Sequence, residues 1–400
     1  MSEPQVEPKS AGEDRLSVAT QRQLMWWRFK KHKLAVFSLI VVSLFYIVAL
    51  NAEFLSTSDP TKGRSARQYV PPQPIFTFDR GEFRLHVCGI NGERDPYTLQ
   101  RTYKTDCSNK YDLAFFAHGF EYKLFGLIPT DRHLLGIADG QEITAEESIF
   151  LLGTDEQGRD LYSRILHGTR TSLTIGLIGV AMSLALGITL GGISGFFGGY
   201  IDNVIQRTIE IIRSIPTIPL WMGLAAALPP DWGIIQLYFA ITVIISLFAW
   251  TDLARVVRGR FLAMREEDFV TAAVVAGAKW QDIIFRHMVP SFYSHLIASA
   301  TLAIPFMILS ETALSFLGLG LRPPAISWGV LLQAAQNVQA IALTPWLMIP
   351  AIPVIIIILA LNFMGDGLRD AADPYSAVEA YATWIGPVWG KTASLGYLVL

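Results

Sequence analysis

The chain alternates between long apolar runs and polar segments of very unequal length. A helix needs about 20 mostly apolar residues to cross a hydrocarbon core. Six runs approach that length, at 34–50, 173–193, 211–228, 234–250, 296–321 and 343–364. The first and fourth are the shortest, so flanking residues are expected to extend them. Prolines interrupt three of the runs: Pro216 and Pro219 in the third, Pro305 in the fifth, and Pro345, Pro350 and Pro353 in the sixth. Proline frees backbone groups that must be satisfied by packing or by a water-lined cavity. These three are therefore expected to be interrupted helices in a moving or water-lined bundle. The longest polar segment, residues 51–170, is large enough for a small folded subdomain.

Composition agrees with a membrane chain. Of 400 residues, 52% are hydrophobic and only 16% charged, against about 25% charged in soluble domains. A formal net charge of -2 argues against a dedicated nucleic-acid binder. Basic residues in short loops mark the cytoplasmic side. Arg22, Arg28, Lys30, Lys31 and Lys33 precede the first run, and Arg255, Arg258, Arg260, Arg265, Lys279 and Arg286 fall in 251–290. With six spans, both clusters and both termini are expected in the cytoplasm and 51–170 outside. "VALNAEF" after the first run offers no small-x-small cleavage site, so an uncleaved anchor is expected.

Both cysteines, Cys88 and Cys107, lie in 51–170. An oxidising compartment favours a disulfide that closes a loop of about 20 residues, worth roughly 3 kcal/mol in the chain-entropy account. The alternative is two isolated thiols, because sequence spacing cannot bring two Cα atoms within bridging range. Further on, Gly153 and Gly158 have the spacing of a phosphate-binding loop, but Arg159-Asp160 replaces the lysine and hydroxyl that contact phosphate and Mg²⁺. A glycine-punctuated turn is expected instead, followed by a short helix capped by Asp160 that leads into the second run. Leu161, Ile165 and Leu166 would face the bilayer surface or the bundle.

No catalytic constellation emerges. "GISG" at 192–195 superficially resembles the serine box of an intramembrane protease. Such a serine needs a base within reach, and none of the seven histidines falls in the middle of a run. HExxH, CxxC and Walker A patterns are absent. Glu311, flanked by Ser310 and Thr312, lies inside the fifth run. An intramembrane carboxylate is costly and usually faces a cavity or a partner, so the trio is a candidate pathway or gate. A structural hydrogen bond is the competing account.

The segment "DFVTAAVVAGAKWQDIIFRHMVP", 268–290, is more informative. Phe269, Ala272, Ala273 and Ala276 follow i, i+3, i+4, i+7, one face of a helix, and Gly277 can end that helix. Trp280, Ile283, Ile284 and Met288 then form a second apolar face before Pro290. Small alanines permit close approach by another protein, so a helix–Gly–helix docking unit is expected. An amphipathic loop lying on the membrane is the alternative.

Here the chain resembles a known family. Ala272-Ala273, Gly277 and Pro290 match the EAA loop of ABC importer permeases, with Thr271 where the name-giving glutamate would stand and Asp268 upstream. "FKKHKLAVFSL", "GTDEQGRD…SR…GTRTSL", "ETALSFLGLGLRPPAISWG" and "LNFMGDGLRDAADP" resemble the C-type permease subunit of dipeptide and oligopeptide importers, in order over about 25–375. The tail beyond Pro374 lies outside the resemblance.

The resemblance implies an all-α membrane protein: six transmembrane helices of the type I ABC importer permease fold, with a long extracytoplasmic loop between the first and second. The implied divisions are 1–33 cytoplasmic, 34–50 first helix, 51–170 extracytoplasmic, 171–366 a five-helix core carrying the coupling loop 251–290, and 367–400 a cytoplasmic tail. Asp268, Thr271, Ala272, Ala273, Gly277, Arg286 and Pro290 would contact an ATPase. The implied partners are a homologous B-type permease, two ABC ATPase subunits, an extracytoplasmic solute-binding protein and membrane lipid, in a bacterial inner membrane. ATP and Mg²⁺ would be held by the ATPases, this chain being non-catalytic and free of cofactor or metal. Peptides are the implied substrate, with nickel, sugars and other solutes as alternatives. A self-sufficient secondary transporter or channel would instead show paired midplane charges or internal repeats, and neither is evident.

Overall fold

In the computed structural model, residues 20–79, 81–94, 96–97, 101–141, 143–336 and 342–372 are described. The segments 1–19 and 373–400, which include most of the expected cytoplasmic tail, lie outside them. Among the described residues, five helical segments are long and apolar enough to cross a membrane. They contain α2 (Lys33–Leu50), α3 (Leu161–Phe197), α6 (Ile234–Met264), α8 (Tyr293–Phe316) and, in a stretch opened by a 3₁₀ turn at Pro345–Met348, α10 (Ala351–Ala372). A sixth span exists only if α4 (Gly199–Ser214) and α5 (Thr217–Ala226), bent by 84° at their junction, count as one.

That bend is the interruption expected of the third run from its prolines. Pro216 disfavours helical dihedrals in the residue before it, and Ile215 is accordingly extended at φ -91°, ψ 131°. The sixth run is also interrupted, its 3₁₀ turn ending at Met348 before α10 begins at Ala351, whereas the fifth is not. α8 continues through Pro305. Pro345 opens the 3₁₀ turn, and Pro353 sits in the first turn of α10, where a missing N–H costs nothing. The short helix expected after Asp160 is instead continuous with the second run: α3 has 37 residues, about 55 Å at 1.5 Å per residue, and projects well beyond a hydrocarbon core. Asp160 Oδ2 accepts the Ser163 N–H at 2.8 Å, capping it as expected. Leu161, Ile165 and Leu166 are buried in the bundle, Leu161 and Ile165 packing with Leu331.

The expectation of an all-α chain is corrected in the long polar segment between α2 and α3. Residues 76–137 form a four-stranded antiparallel sheet, ordered β1 (Phe76–Asp79), β2 (Glu82–Arg94), β3 (Arg101–Leu124) and β4 (Ile128–Ile137). Val87, Leu113 and Ile137 form its core with Ala145 and Ile149. Cys88 on β2 and Cys107 on β3 are joined by a disulfide, with Cα atoms 4.6 Å apart. The sheet is fastened to the bundle by His133, whose Nδ1 lies 2.9 Å from the Glu53 carbonyl oxygen, and the Glu53 carboxylate pairs with Arg170 of α3. The glycine turn before α3 closes on Asp155, whose Oδ1 accepts N–H groups of Gln157 and Arg159 at 2.9 and 3.0 Å. Burial lifts the Asp160 carboxyl to about 6, against the hydrogen bonds from Ser163 and Thr57 that favour its ionised form.

α3 and α6 pack backbone to backbone over a stripe of small residues. A Cβ on Gly191 would lie 2.5 Å from the Ala254 carbonyl oxygen, and one on Gly195 would lie 2.5 Å from Phe261 Cβ. Glycines spaced by four are the usual device for such close crossings in membranes. "GISG" is therefore a helix-packing surface. Its Ser194 donates to Asp202 Oδ1 at 2.5 Å, and Asp202 is itself clamped by Arg258 through two 2.6 Å bonds.

Candidate functional site

The segment beyond α6 folds as a helix–turn–helix suspended from the ends of α3 and α6. α7 (Asp268–Val275) starts with an acidic residue in its first turn, favourable at the positive helix end. It stops in a Schellman motif: the Gly277 N–H donates to Val274 O at 3.0 Å and the Ala278 N–H to Ala273 O at 3.1 Å. Gly277 has φ +76°, a left-handed value that costs other residues about 1–2 kcal/mol. No atom lies within 4 Å of where its Cβ would be, so only the backbone demands glycine. The chain then runs through Trp280–Asp282 into a π-helical turn, Ile283–Met288, and a final turn, Val289–Ser291.

The two faces sort differently from the simple periodicity. Val270 and Ala273 of α7 point inward and join Ile283, Ile284 and Met288 in one cluster with Val257 and Phe261 of α6 and Ile188, Ile193 and Phe196 of α3. Phe269, Ala272 and Ala276, expected to share a face with Ala273, lie on the exposed side with Val274 and Val275, the last being 83% exposed. The contact that decides burial is with α6 and α3, and it takes the stripe 270–273 rather than 269–272–276. Trp280 packs edge-on against Phe197 at 5.7 Å between ring centroids, tying the second arm to the end of α3. The unit is thus rigidly seated on the bundle on one side and apolar but uncovered in this chain on the other.

The polar residues decorate the open side. Asp268 and Thr271 are exposed, and the Thr271 hydroxyl donates to Glu267 O at 3.3 Å. Arg286, largely solvated, is 3.6 Å from Asp282, and Pro290 is exposed in its one-turn helix. Asp268, Thr271, Ala272, Gly277, Arg286 and Pro290 are therefore all accessible, with Ala273 alone buried. The sequence reading did not single out Arg258 and Asp202 as a clamp between α6 and α4 beside this unit. Their 56-residue separation left no local signal.

Ser310, Glu311 and Thr312 lie elsewhere, buried in the chain's own packing. Glu311 is fully enclosed. Its Oε1 accepts the hydroxyls of Ser315 and Ser327 at 2.7 Å each, and Oε2 accepts that of Ser172 at 3.3 Å. Each serine also receives a backbone N–H: Leu321 on Ser315, Trp328 on Ser172 and Val330 on Ser327, at 3.0–3.3 Å. The carboxylate thereby organises the segment between α8 and α9 (Trp328–Gln333) against α3. Ser310 donates to Phe306 O at 2.7 Å. All three side chains are buried in this chain, and Glu311 joins α3, α8 and the segment leading into α9.

Comparisons with known proteins agree with this architecture. Residues 187–376 match the family described as the binding-protein-dependent transport system inner membrane component, and residues 20–72 match the N-terminal TM domain of oligopeptide transport permease C. The chain is 40% identical over 229 residues to the oligopeptide transport system permease protein OppC of Haemophilus influenzae, covering 57% of this chain and 71% of that protein. It is 41% identical over 226 residues to the di/tripeptide transport system permease protein DppC of Pseudomonas aeruginosa, covering 56% and 72%. A similar match, 39% over 223 residues, is found to the dipeptide transport system permease protein DppC of Alkalihalophilus pseudofirmus. The chain is a multi-pass inner-membrane protein and belongs to the binding-protein-dependent transport permeases, as an ABC importer permease of the C-type dipeptide and oligopeptide branch.

Proposed function

We propose that this chain forms half of a transmembrane path for peptides or related small solutes and is driven by cytoplasmic ATPases through residues 268–290. A homologous B-type permease supplies the other half. Two ABC ATPases hold ATP and Mg²⁺, and an extracytoplasmic binding protein delivers the solute to the outer side of the bundle. The N-terminus and the helix–turn–helix lie in the cytoplasm, with the sheet outside. The observation that carries the reading is the two-sidedness of the helix–turn–helix. One face is continuous with the core of α3 and α6, and the other exposes Phe269, Ala272, Val275 and Ala276.

A unit so built transmits displacement. A partner seated on the exposed face pushes a body that cannot move independently of two spanning helices, and close-packed interiors pass such shifts on rather than absorb them. Each ATPase state then favours one of two bundle packings. Gly277→Val tests this, because it strains the turn without filling occupied space. The assembled variant is expected to insert normally and hydrolyse ATP while solute uptake per ATP falls. Unchanged uptake per ATP would remove the lever role from this turn.

A further inference from the structure

A second surface is built on the first helix, α1 (Gln21–Lys31), and nothing in the transport reading uses it. The helix opens with a capping box, the Thr20 N–H donating to Gln23 Oε1 at 2.9 Å and the Gln23 N–H to Thr20 Oγ1 at 3.4 Å. It ends at His32, whose Nδ1 accepts the Ala35 N–H at 3.1 Å and so starts α2 afresh. Met25 and Phe29 face inward. Phe29 is buried beside Ala35 at the start of α2 and Gly367 and Ala371 at the end of α10. α1 is therefore pinned where one span enters and another leaves the same side of the bundle.

Its opposite face is a single exposed stripe: Gln23, Trp26, Trp27, Lys30 and Lys31, at i, i+3, i+4, i+7, i+8. Each tryptophan lies one turn before a lysine, and Lys30 Nζ sits 5.1 Å from the Trp26 ring centroid. Lys33 adds a third exposed ammonium group at the junction. From Thr20 to Ala52 the sequence contains no acidic residue, and among the described residues Lys30, Lys31 and Lys33 form no salt bridge, although Asp366 and Asp370 lie on the neighbouring end of α10. Large amphipathic rings interleaved with ammonium groups, at the mouth of two spans, match the boundary between acyl chains and headgroups. Exposed tryptophans would be a poor choice for open water, and uncompensated lysines a poor choice for a protein core.

We infer that this stripe is a docking surface for anionic phospholipid headgroups, with Trp26 and Trp27 at the acyl boundary and Lys30, Lys31 and Lys33 on the phosphates. Because Phe29 ties α1 to α10, headgroup binding also steadies the ends of α2 and α10. Each lysine near an anionic surface shifts partitioning by about 5-fold, and three together by on the order of 100-fold, with loss of the effect at high salt.

The test uses the transporter assembled around the full chain, in nanodiscs of phosphatidylcholine alone or mixed with phosphatidylglycerol, read by amide hydrogen exchange over 24–31. Exchange is expected to slow as phosphatidylglycerol increases, by up to about 100-fold, and to lose that dependence in the Lys30→Gln/Lys31→Gln/Lys33→Gln variant and in high salt. These side chains are exposed, so assembly of the variant should be normal, checked by its elution as an intact complex. Headgroup-independent exchange in the wild type would overturn the inference, and would indicate that a protein partner covers the stripe. A charge-neutral variant that keeps the lipid dependence would overturn it equally.

Discussion

Glu311 offers the sharpest energetic test of the interior. The carboxylate accepts three serine hydroxyls, and each of those serines accepts one backbone N–H from the segment 321–330. Glu311→Ala removes the common acceptor, leaves a cavity and lets three buried hydroxyls turn away from their amides. Hydrogen bonds to charged groups are worth about 1.5–3 kcal/mol each, but the serines can re-partner to local carbonyls, and the cost of burying a carboxylate is relieved. We therefore expect a net local loss of about 3 kcal/mol for alanine and about 1 kcal/mol for Glu311→Gln, which keeps the volume and one acceptor oxygen. The assay is amide exchange at Leu321, Trp328 and Val330 in the assembled complex. At about 1.4 kcal/mol per decade, alanine should accelerate exchange there by on the order of 100-fold and glutamine by about 5-fold. Wild-type protection of these three amides in the alanine variant would refute the hub.

Two further perturbations probe the frame. Asp160 carries a folded-state carboxyl raised to about 6 by burial, against an ordinary value of 3.8. The protonated form is thus favoured by folding: its stabilising contribution is complete below 3.8 and disappears as pH rises through about 6, a swing on the order of 3 kcal/mol. Asp160→Asn preserves the cap and should flatten that part of the pH dependence of thermal unfolding; an unchanged profile would place the titration elsewhere. Gly191→Ala puts a methyl 2.5 Å from a backbone oxygen of α6 and should destabilise the bundle by about 1–3 kcal/mol. Gly223→Ala, with nothing within 4 Å, should be neutral or slightly stabilising by helix propensity. Equal thermal midpoints for the two alanine variants would refute the close α3–α6 contact.

Much of the frame was legible because it depends on local rules. The Asp160 cap, the Gly277 turn and the apolar runs each follow from a few adjacent residues. The break at Pro216 was equally local, since the proline's restriction falls on Ile215. The sheet, by contrast, was hidden. β2 buries five consecutive residues, His86 to Ile90, between exposed ends, so period two never appears. On α7, periodicity grouped Ala273 with Phe269, Ala272 and Ala276. Only the position of α6 and α3 decides that Ala273 faces inward and the others do not. Glu311 shows the limit most clearly. Ser315 is one turn away and readable, whereas Ser172 lies 139 residues distant and meets it only through the packing of α3 on α8.

The central claim is that the exposed face of α7 is where an ATPase subunit seats. It is tested most directly by placing a photo-cross-linking residue at Val275, which is 83% exposed and projects from the open face, with Val270 on the inward face as control. In the assembled transporter, Val275 should capture the ATPase subunit, with a yield that changes when ATP is added, and Val270 should capture nothing outside this chain. Capture of lipid alone at Val275, or equal ATPase capture from both positions, would contradict the account.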